Sequence, residues 1–360
     1  MPIDRKHVKG RGATGNVPNR FQQRSYAMVH MEGIDQVEEE ATPTRFLDSH
    51  AKSIINRVNS PDLHFSWSMN PYQGCEHGCS YCYARPTHEY WGYGAGLDFE
   101  RIVLVKRNAV ELFEMELRKP SWKGEPISLS GATDPYQPRE QVERITRGLL
   151  QVALKFGQPL MIITKNALIM RDIDLLGRLA ARGLVQVAIS LTTLDEDLRR
   201  NLEPRTSTGQ KRLDAMRALS KAGVPTVAML APIIPSLNEP EIPSLLRAAA
   251  EAGALQAAYT ILRTNGSVAP VFEQWLRTHL PDRAEKILAQ TSALHGGAMS
   301  DSVHGRRMKG EGEFAQSIGR LFNVMRARYF TGRSLPALNV ASFKPPCHGQ
   351  LDLFHSGPMC

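Results

Sequence analysis

Long apolar runs are missing from this chain. No stretch approaches the roughly eighteen consecutive apolar residues that a bilayer-crossing helix needs, which argues against a membrane span. The opening residues, MPIDRKHVKGRG, lack the apolar core of a secretory signal, so a cytoplasmic protein is expected. Glycine (28) and proline (23) stand near ordinary usage, which excludes a collagen-like or wholly disordered chain. Internal repeats are absent apart from an alternation of strand-like and helix-like segments. Cysteine is scarce and unevenly spread: Cys75, Cys79 and Cys82 crowd together, while Cys347 and Cys360 lie near the end. A reducing compartment disfavours a disulfide framework, and a tight cluster then points to metal or redox chemistry.

What is present begins with charge. Lysine and arginine (44) outnumber aspartate and glutamate (36), giving +8, a balance that suits polyanionic partners such as DNA. Residues 1–25 carry Arg5, Lys6, Lys9, Arg11, Arg20 and Arg24 with little apolar content, and are expected to form a flexible arm. An acidic patch follows at Asp35 and Glu38 to Glu40, then a short helix or clasp over 44–57. Together, residues 1–58 form an arm and clasp.

A βα rhythm then sets in. Strand-like runs fall at 64–70, 126–131, 159–165, 185–193, 225–235 and 254–263, and helix-period segments at 107–118, 138–156, 172–182, 209–222 and 240–252. Gly157, Gly183, Gly223 and Gly253 each sit just past a helix, where a left-handed cap wants glycine. Apolar strands alternating with helices mean a parallel sheet covered by helices. Six strands fall short of the eight of a closed barrel. The expected fold is therefore α/β, a partial (β/α)6 barrel over 59–285. A helical extension (286–345, with helical patterns at 271–294 and 312–330) and an extended tail (346–360) complete it.

The stretch NPYQGCEHGCSYCYARPTHEYWGYG (70–94) carries the strongest signal. Its spacing is Cys-x3-Cys-x2-Cys, with Tyr81 and Tyr83 flanking the third cysteine. Thiolates suit iron–sulfur clusters or zinc. A [4Fe–4S] cube normally takes four cysteines, so three leave one iron free for another ligand. The amino and carboxylate groups of S-adenosylmethionine can chelate that iron, and an electron passed to the sulfonium yields a 5′-deoxyadenosyl radical. The competing reading is a zinc knuckle completed by His77 or Cys347.

The loop and the six βα units resemble the radical S-adenosylmethionine superfamily. Within it they resemble the spore photoproduct lyase-like branch, whose tyrosines flank the third cysteine as Tyr81 and Tyr83 do. The resemblance covers about residues 60–280 and implies further site residues. Cys75, Cys79 and Cys82 would hold the [4Fe–4S] cluster. The Ser130 to Asp134 segment, through its backbone and Thr133 or Asp134, would hold the methionyl ammonium, and Lys165 the carboxylate. Ser190 and Thr192 would meet ribose or carboxylate, Glu203 and Arg205 form a further clamp, and Pro232 to Asn238 close over adenine. For each hydroxyl, a helix cap or strand-end hydrogen bond is the competing role.

The chain departs from that branch in one respect. The segment SGATDPYQP lacks the fourth cysteine that returns a hydrogen atom in those lyases, leaving Tyr81, Tyr83 or Cys347 as donor, or a different reaction. Tyr90, Trp91 and Tyr93 could stack a base or cover the cluster. Near the end, Gln350, Leu351, Asp352, Leu353 and Phe354 resemble the pentapeptide that docks repair proteins on the bacterial sliding clamp, or zip the tail onto its own barrel. The expected function is radical chemistry on a nucleic-acid lesion or nucleobase, as a DNA repair lyase-like enzyme with an external electron donor. The alternatives are a radical enzyme acting on a peptide or small metabolite, and a non-catalytic DNA-associated iron–sulfur redox protein.

Overall fold

The computed structural model of the chain describes residues 9–21 and 43–344. Among them, strands β1 (Arg45–Asp48), β2 (Ile55–Arg57), β3 (Trp67–Met69), β4 (Tyr72–Gln73), β5 (Ile102–Val105), β6 (Ile127–Leu129), β7 (Leu160–Thr164), β8 (Val185–Ser190), β9 (Thr226–Ile233) and β10 (Gln256–Ile261) form two sheets. The larger has the order β10-β9-β8-β7-β6-β3-β2. From β3 to β10 the neighbours pair in parallel, and β2 lies antiparallel at the edge. These six parallel strands are the six read from the sequence. Helices Ile145–Phe156, Ile173–Ala180, Gly209–Lys221 and Ile242–Glu251 connect β6 through β10, and the four expected cap glycines all have positive φ. β3 and β10 do not pair, so the barrel stays open.

Side chains along the central strands alternate more than their apolar sequences suggest. In β7 and β9 the residues Leu160, Ile162, Ala228 and Leu230 are fully buried in the main core. The alternate residues Ile163, Met229 and Ala231 line a cavity on the other face. The period of two thus separates a helix-covered core from a lumen, using apolar residues for both.

The open seam is bridged by loops. After β10, Ser267 donates to Glu89, which lies in the 3-10 helix Arg85–Trp91 that follows the cysteines. From the C-terminal extension, Arg307 donates to Asp62 at 2.5 Å and to Ser60 at 2.7 Å, and the Gly305 amide to Asp62 at 2.7 Å. The helical pattern over 271–294 is two helices, Val268–His279 and Pro281–Leu294. Pro281 cannot donate an amide hydrogen and so begins a helix rather than continuing one. The second helix runs across the boundary expected at 285.

Two sequence expectations are corrected. Residues 44–57 form β1 and β2, not a helix: β1 pairs in parallel with β5, which pairs antiparallel with β4. This small sheet, β1-β5-β4, clamps both ends of the cysteine loop. Residues 9–21 are not a solvated arm. Arg11, Ala13, Val17 and Asn19 are buried, and the Gly12 and Ala13 amides donate to the buried Glu100 carboxylate at 3.1 and 2.8 Å. The chain passes so close that a Cβ at Gly12 would fall on the Gly78 carbonyl.

Gly12→Ala is therefore expected to destabilise the protein by about 1–3 kcal/mol or more, the usual cost of overpacking. Gly177→Ala is the contrast. Its methyl would meet only the Ala222 carbonyl at an ordinary 3.6 Å inside helix Ile173–Ala180, and it should stabilise by up to about 1 kcal/mol. Urea midpoints of the two variants check this, and a Gly12→Ala protein as stable as the parent would mean the segment is not seated on the loop.

Candidate cluster and cofactor site

The cysteine loop is held by its own backbone. Gly74 and Gly78 adopt φ of 81° and 67°, a conformation that side chains with a Cβ rarely take. The Cys75 amide donates to Phe99 O at 2.9 Å, Cys82 N to Cys79 O at 3.2 Å and Ser80 N to Leu202 O at 3.0 Å. Glu76, between the first two cysteines, accepts the Arg139 amide at 2.8 Å, while its own amide donates to Gln137 at 3.0 Å. Arg85 donates to the Cys79 carbonyl through Nε and Nη2 at 3.0 and 2.7 Å, and pairs with Glu100 at 2.5 Å.

All three thiols are free and line one cavity of about 260 Å³ at the C-terminal ends of the parallel strands. Burial raises the pKa of each above the ordinary thiol value. A buried thiol of this kind becomes a ligand when a cation replaces its proton. Among the described residues, no three His, Cys, Asp or Glu side chains converge to hold a single metal ion. His77, the zinc reading's fourth ligand, is engaged elsewhere: Nδ1 faces Asp134 at 3.4 Å and Nε2 faces Asn166 at 3.2 Å. Three soft donors spread along one wall fit a multi-iron cluster better than one ion.

The strand ends supply the rest of the wall. Ser130, Asp134, Lys165 and Ser190 line the cavity, as do Tyr81 and Tyr83. Asp134 Oδ1 accepts from the Tyr136 amide at 2.9 Å and Thr164 Oγ1 at 2.7 Å, and Oδ2 from the Lys165 amide at 2.7 Å. Burial works to raise its pKa, but His77 and these donors hold it below the usual carboxylate value. Lys165 Nζ reaches Ala231 O at 3.2 Å and Thr192 Oγ1 at 3.5 Å, and lies 5.5 Å from the Tyr81 ring centre.

Other expected contacts stand behind the wall. The Tyr81 hydroxyl and Arg212 both donate to the buried Glu203 carboxylate, and Thr192 lies 3.3 Å from it. Burial opposes ionisation of Glu203, and Arg212, Lys165 and Tyr81 overcome it. Glu203 therefore serves as counter-ion to the wall, not as part of it. Thr133 donates to Tyr72 O at 2.7 Å, away from the cavity. Arg205 reaches out to Gly10 O at 3.2 Å and toward Glu76 at 3.6 Å, tying down the N-terminal segment instead of facing the cavity. Pro232 lines the cavity, whereas Asn238 is buried beneath it, donating to Thr192 O and Pro232 O at 2.9 and 3.0 Å. Gln350 to Phe354, Cys347 and Cys360 lie outside the described residues.

Sequence reasoning missed Leu63, Phe65, Met229, Met308 and Arg263, all in the wall. Arg263 alone carried a signal: it ends the last strand-like run, where barrel sites collect functional residues.

The family model for the Radical SAM superfamily matches residues 69–249, and the chain belongs to that superfamily. Its members use a [4Fe–4S] cluster and S-adenosylmethionine. An uncharacterized protein of Mycobacterium tuberculosis is 38% identical over 285 residues, covering 78% of this chain and 79% of that one. An uncharacterized protein of Methanocaldococcus jannaschii is 31% identical over 191 residues, covering 53% and 68%. Among solved structures, a spore photoproduct lyase variant with bound AdoMet and dinucleoside spore photoproduct superposes with a TM-score of 0.59 at 18% identity over 80% of each chain, which shows a shared fold.

Substituting Cys75, Cys79 or Cys82 by alanine is expected to abolish cluster incorporation, read as iron and sulfide content, while Cys347→Ala keeps it. Iron lost with Cys347 would mean a fourth protein ligand. Lys165→Ala should keep the cluster but weaken S-adenosylmethionine binding roughly ten- to a hundredfold, the worth of a charge-assisted hydrogen bond. Calorimetry on the reconstituted protein decides, and unchanged affinity would return Lys165 to a structural role.

Proposed function

We propose that the protein is a radical S-adenosylmethionine enzyme that abstracts hydrogen from a nucleobase or nucleic-acid lesion. The observation that carries the reading is the composition of one cavity's wall. Three free thiols, Lys165 and the rim residue Tyr83 share it, so cofactor-binding and substrate-facing groups open onto one space. When bound, cluster and S-adenosylmethionine supply one-electron cleavage of the sulfonium and a carbon radical able to abstract hydrogen, with the electron coming from an external donor.

The chain's residues have separable tasks in this reading. Cys75, Cys79 and Cys82 hold the cluster. Lys165, with Ser130, Asp134 and Ser190 around it, orients the methionyl group. Mostly apolar walls at Ile163, Met229 and Pro232 exclude water that would otherwise solvate the charged partners. Tyr83 is half exposed and its hydroxyl donates to Gly131 O at 3.0 Å, so its ring can meet an incoming substrate. Tyr81 is buried, its hydroxyl occupied by Glu203. Of the two, Tyr83 is the better placed to return a hydrogen atom. The nucleic-acid assignment draws support from the net charge of +8 and from the fold shared with a lyase whose structure holds a dinucleoside photoproduct.

The test is anaerobic reconstitution with dithionite and S-adenosylmethionine, measuring 5′-deoxyadenosine with and without ultraviolet-irradiated DNA. Stimulation by irradiated DNA with loss of thymine lesions is expected. Turnover that ignores DNA would favour a peptide or metabolite substrate, and a full cluster without S-adenosylmethionine binding would favour a redox protein.

A further inference from the structure

We infer that Arg263, beside the Tyr83 ring at the open seam of the barrel, binds a phosphate of the substrate's nucleic-acid backbone. The inference rests on the nucleic-acid reading above and names the residue that would recognise the strand.

Apart from His77, the charged side chains in the cavity wall are Asp134, Lys165 and Arg263. Asp134 has both oxygens occupied, and Lys165 has Glu203 at 3.9 Å. Arg263 differs. Among the described residues no carboxylate pairs with it, and its buried Nε has no acceptor. Beside it lies an aromatic face, the Tyr83 ring, with the guanidinium carbon 5.4 Å from the centroid. The nearby Asp62 is taken by Arg307 and the Gly305 amide. Burial, and then Arg307, push the pKa of Arg263 below the ordinary arginine value. A desolvated guanidinium without a counter-ion is costly, and an arriving anion removes the cost.

Position selects the anion. Each tyrosine flanking Cys82 carries a cation on its ring. Lys165 lies over the buried Tyr81, next to Cys79, whereas Arg263 lies over the half-exposed Tyr83. The inner cation suits the cofactor carboxylate, and the outer one suits whatever enters from the seam. A guanidinium fork matches phosphate oxygens in pairs, and an adjacent aromatic ring suits a base on the same nucleotide. Tyr90 and Trp91, in the 3-10 helix that Ser267 contacts after β10, are 70% and 49% exposed.

The test uses the full chain, reconstituted anaerobically with cluster and S-adenosylmethionine, and a fluorescein-labelled thymidine hexanucleotide followed by anisotropy across a salt series. Arg263→Gln should weaken binding roughly ten- to a hundredfold and lower the salt slope by about 0.7, one single-strand phosphate contact. Arg263→Lys should recover part of the affinity. A methylphosphonate-linked hexanucleotide should bind wild-type protein as weakly as the natural strand binds Arg263→Gln, an arm that needs no variant to fold. Equal binding of the two strands, or of Arg263→Gln and wild type, overturns the assignment of Arg263 while leaving the nucleic-acid reading intact. Loss of S-adenosylmethionine affinity in Arg263→Gln with unchanged strand binding overturns it in favour of a cofactor contact. Wild-type protein that binds no strand overturns both.

Discussion

The ion pair between Arg85 and Glu100, both fully buried, is the constraint around which the cluster loop is built. Taking two charges out of water is unfavourable unless every remaining donor and acceptor finds a partner. Here they do. Arg85 also serves the Cys79, Ala95 and Gly96 carbonyls, and Glu100 also accepts the Gly12 and Ala13 amides. Losing one partner of such a pair typically costs about 3–5 kcal/mol, because the other charge is left stranded. The pair thus fixes in one place the second cysteine's backbone, the turn before helix Leu97–Arg101 and the N-terminal segment. The glycines at 12 and 78 follow from it, since backbones drawn to one carboxylate have no room for a Cβ.

A second pair of buried carboxylates works on the opposite wall. Asp134 and Glu203 are kept ionised by neighbouring cations and hydrogen-bond donors despite burial. Asp134 sets the Lys165 backbone through its amide, and Glu203 balances Arg212 and Lys165 from behind. Glu203 and Arg212 therefore lie behind the wall, while Lys165 faces the cavity beside an Asp134 whose oxygens are both occupied. That polarity suits a site for thiolate-bound iron and for the carboxylate of a sulfonium amino acid.

How much of this was legible in the sequence follows from range. The Cys-x3-Cys-x2-Cys spacing, the six parallel strands and the capping glycines are local patterns, and the structure follows them. Lys165, Asp134, Ser130 and Ser190 were legible because strand ends converge on one face of a parallel barrel. The small sheet was not: β4 has two residues and β2 three, lengths that carry no periodicity and exist only through their partners. The basic, glycine-bearing segment at 9–21 reads as disordered by composition, yet Gly12 is there for a close approach that only the distant Glu100 and Gly78 reveal. Thr133 and Arg205 show the same limit. Both sit at the right place along the chain, but Tyr72 O claims the one and the N-terminal segment the other.

The segment SGATDPYQP at the end of β6 holds no cysteine to return a hydrogen atom. A carbon radical abstracts hydrogen from the C–H, S–H or phenolic O–H bonds it reaches, so a site that confines one must control which such bonds face it. Beyond the three thiols that would be occupied as ligands, the cavity wall holds aliphatic carbon, the Ser130, Thr164, Ser190 and Thr260 hydroxyls, whose O–H bonds are too strong to yield hydrogen to a carbon radical, and the two tyrosines. Tyr81 is removed from competition by Glu203, which accepts the hydrogen bond of its hydroxyl behind the wall. Tyr83 keeps a single carbonyl acceptor and a ring half open to solvent, flanked by Arg263. A phenol of ordinary acidity is protonated at neutral pH, so its O–H bond remains available. Among the described residues, Tyr83 would thus be the hydrogen donor under the proposed function, beside the cation proposed to orient the strand to meet it.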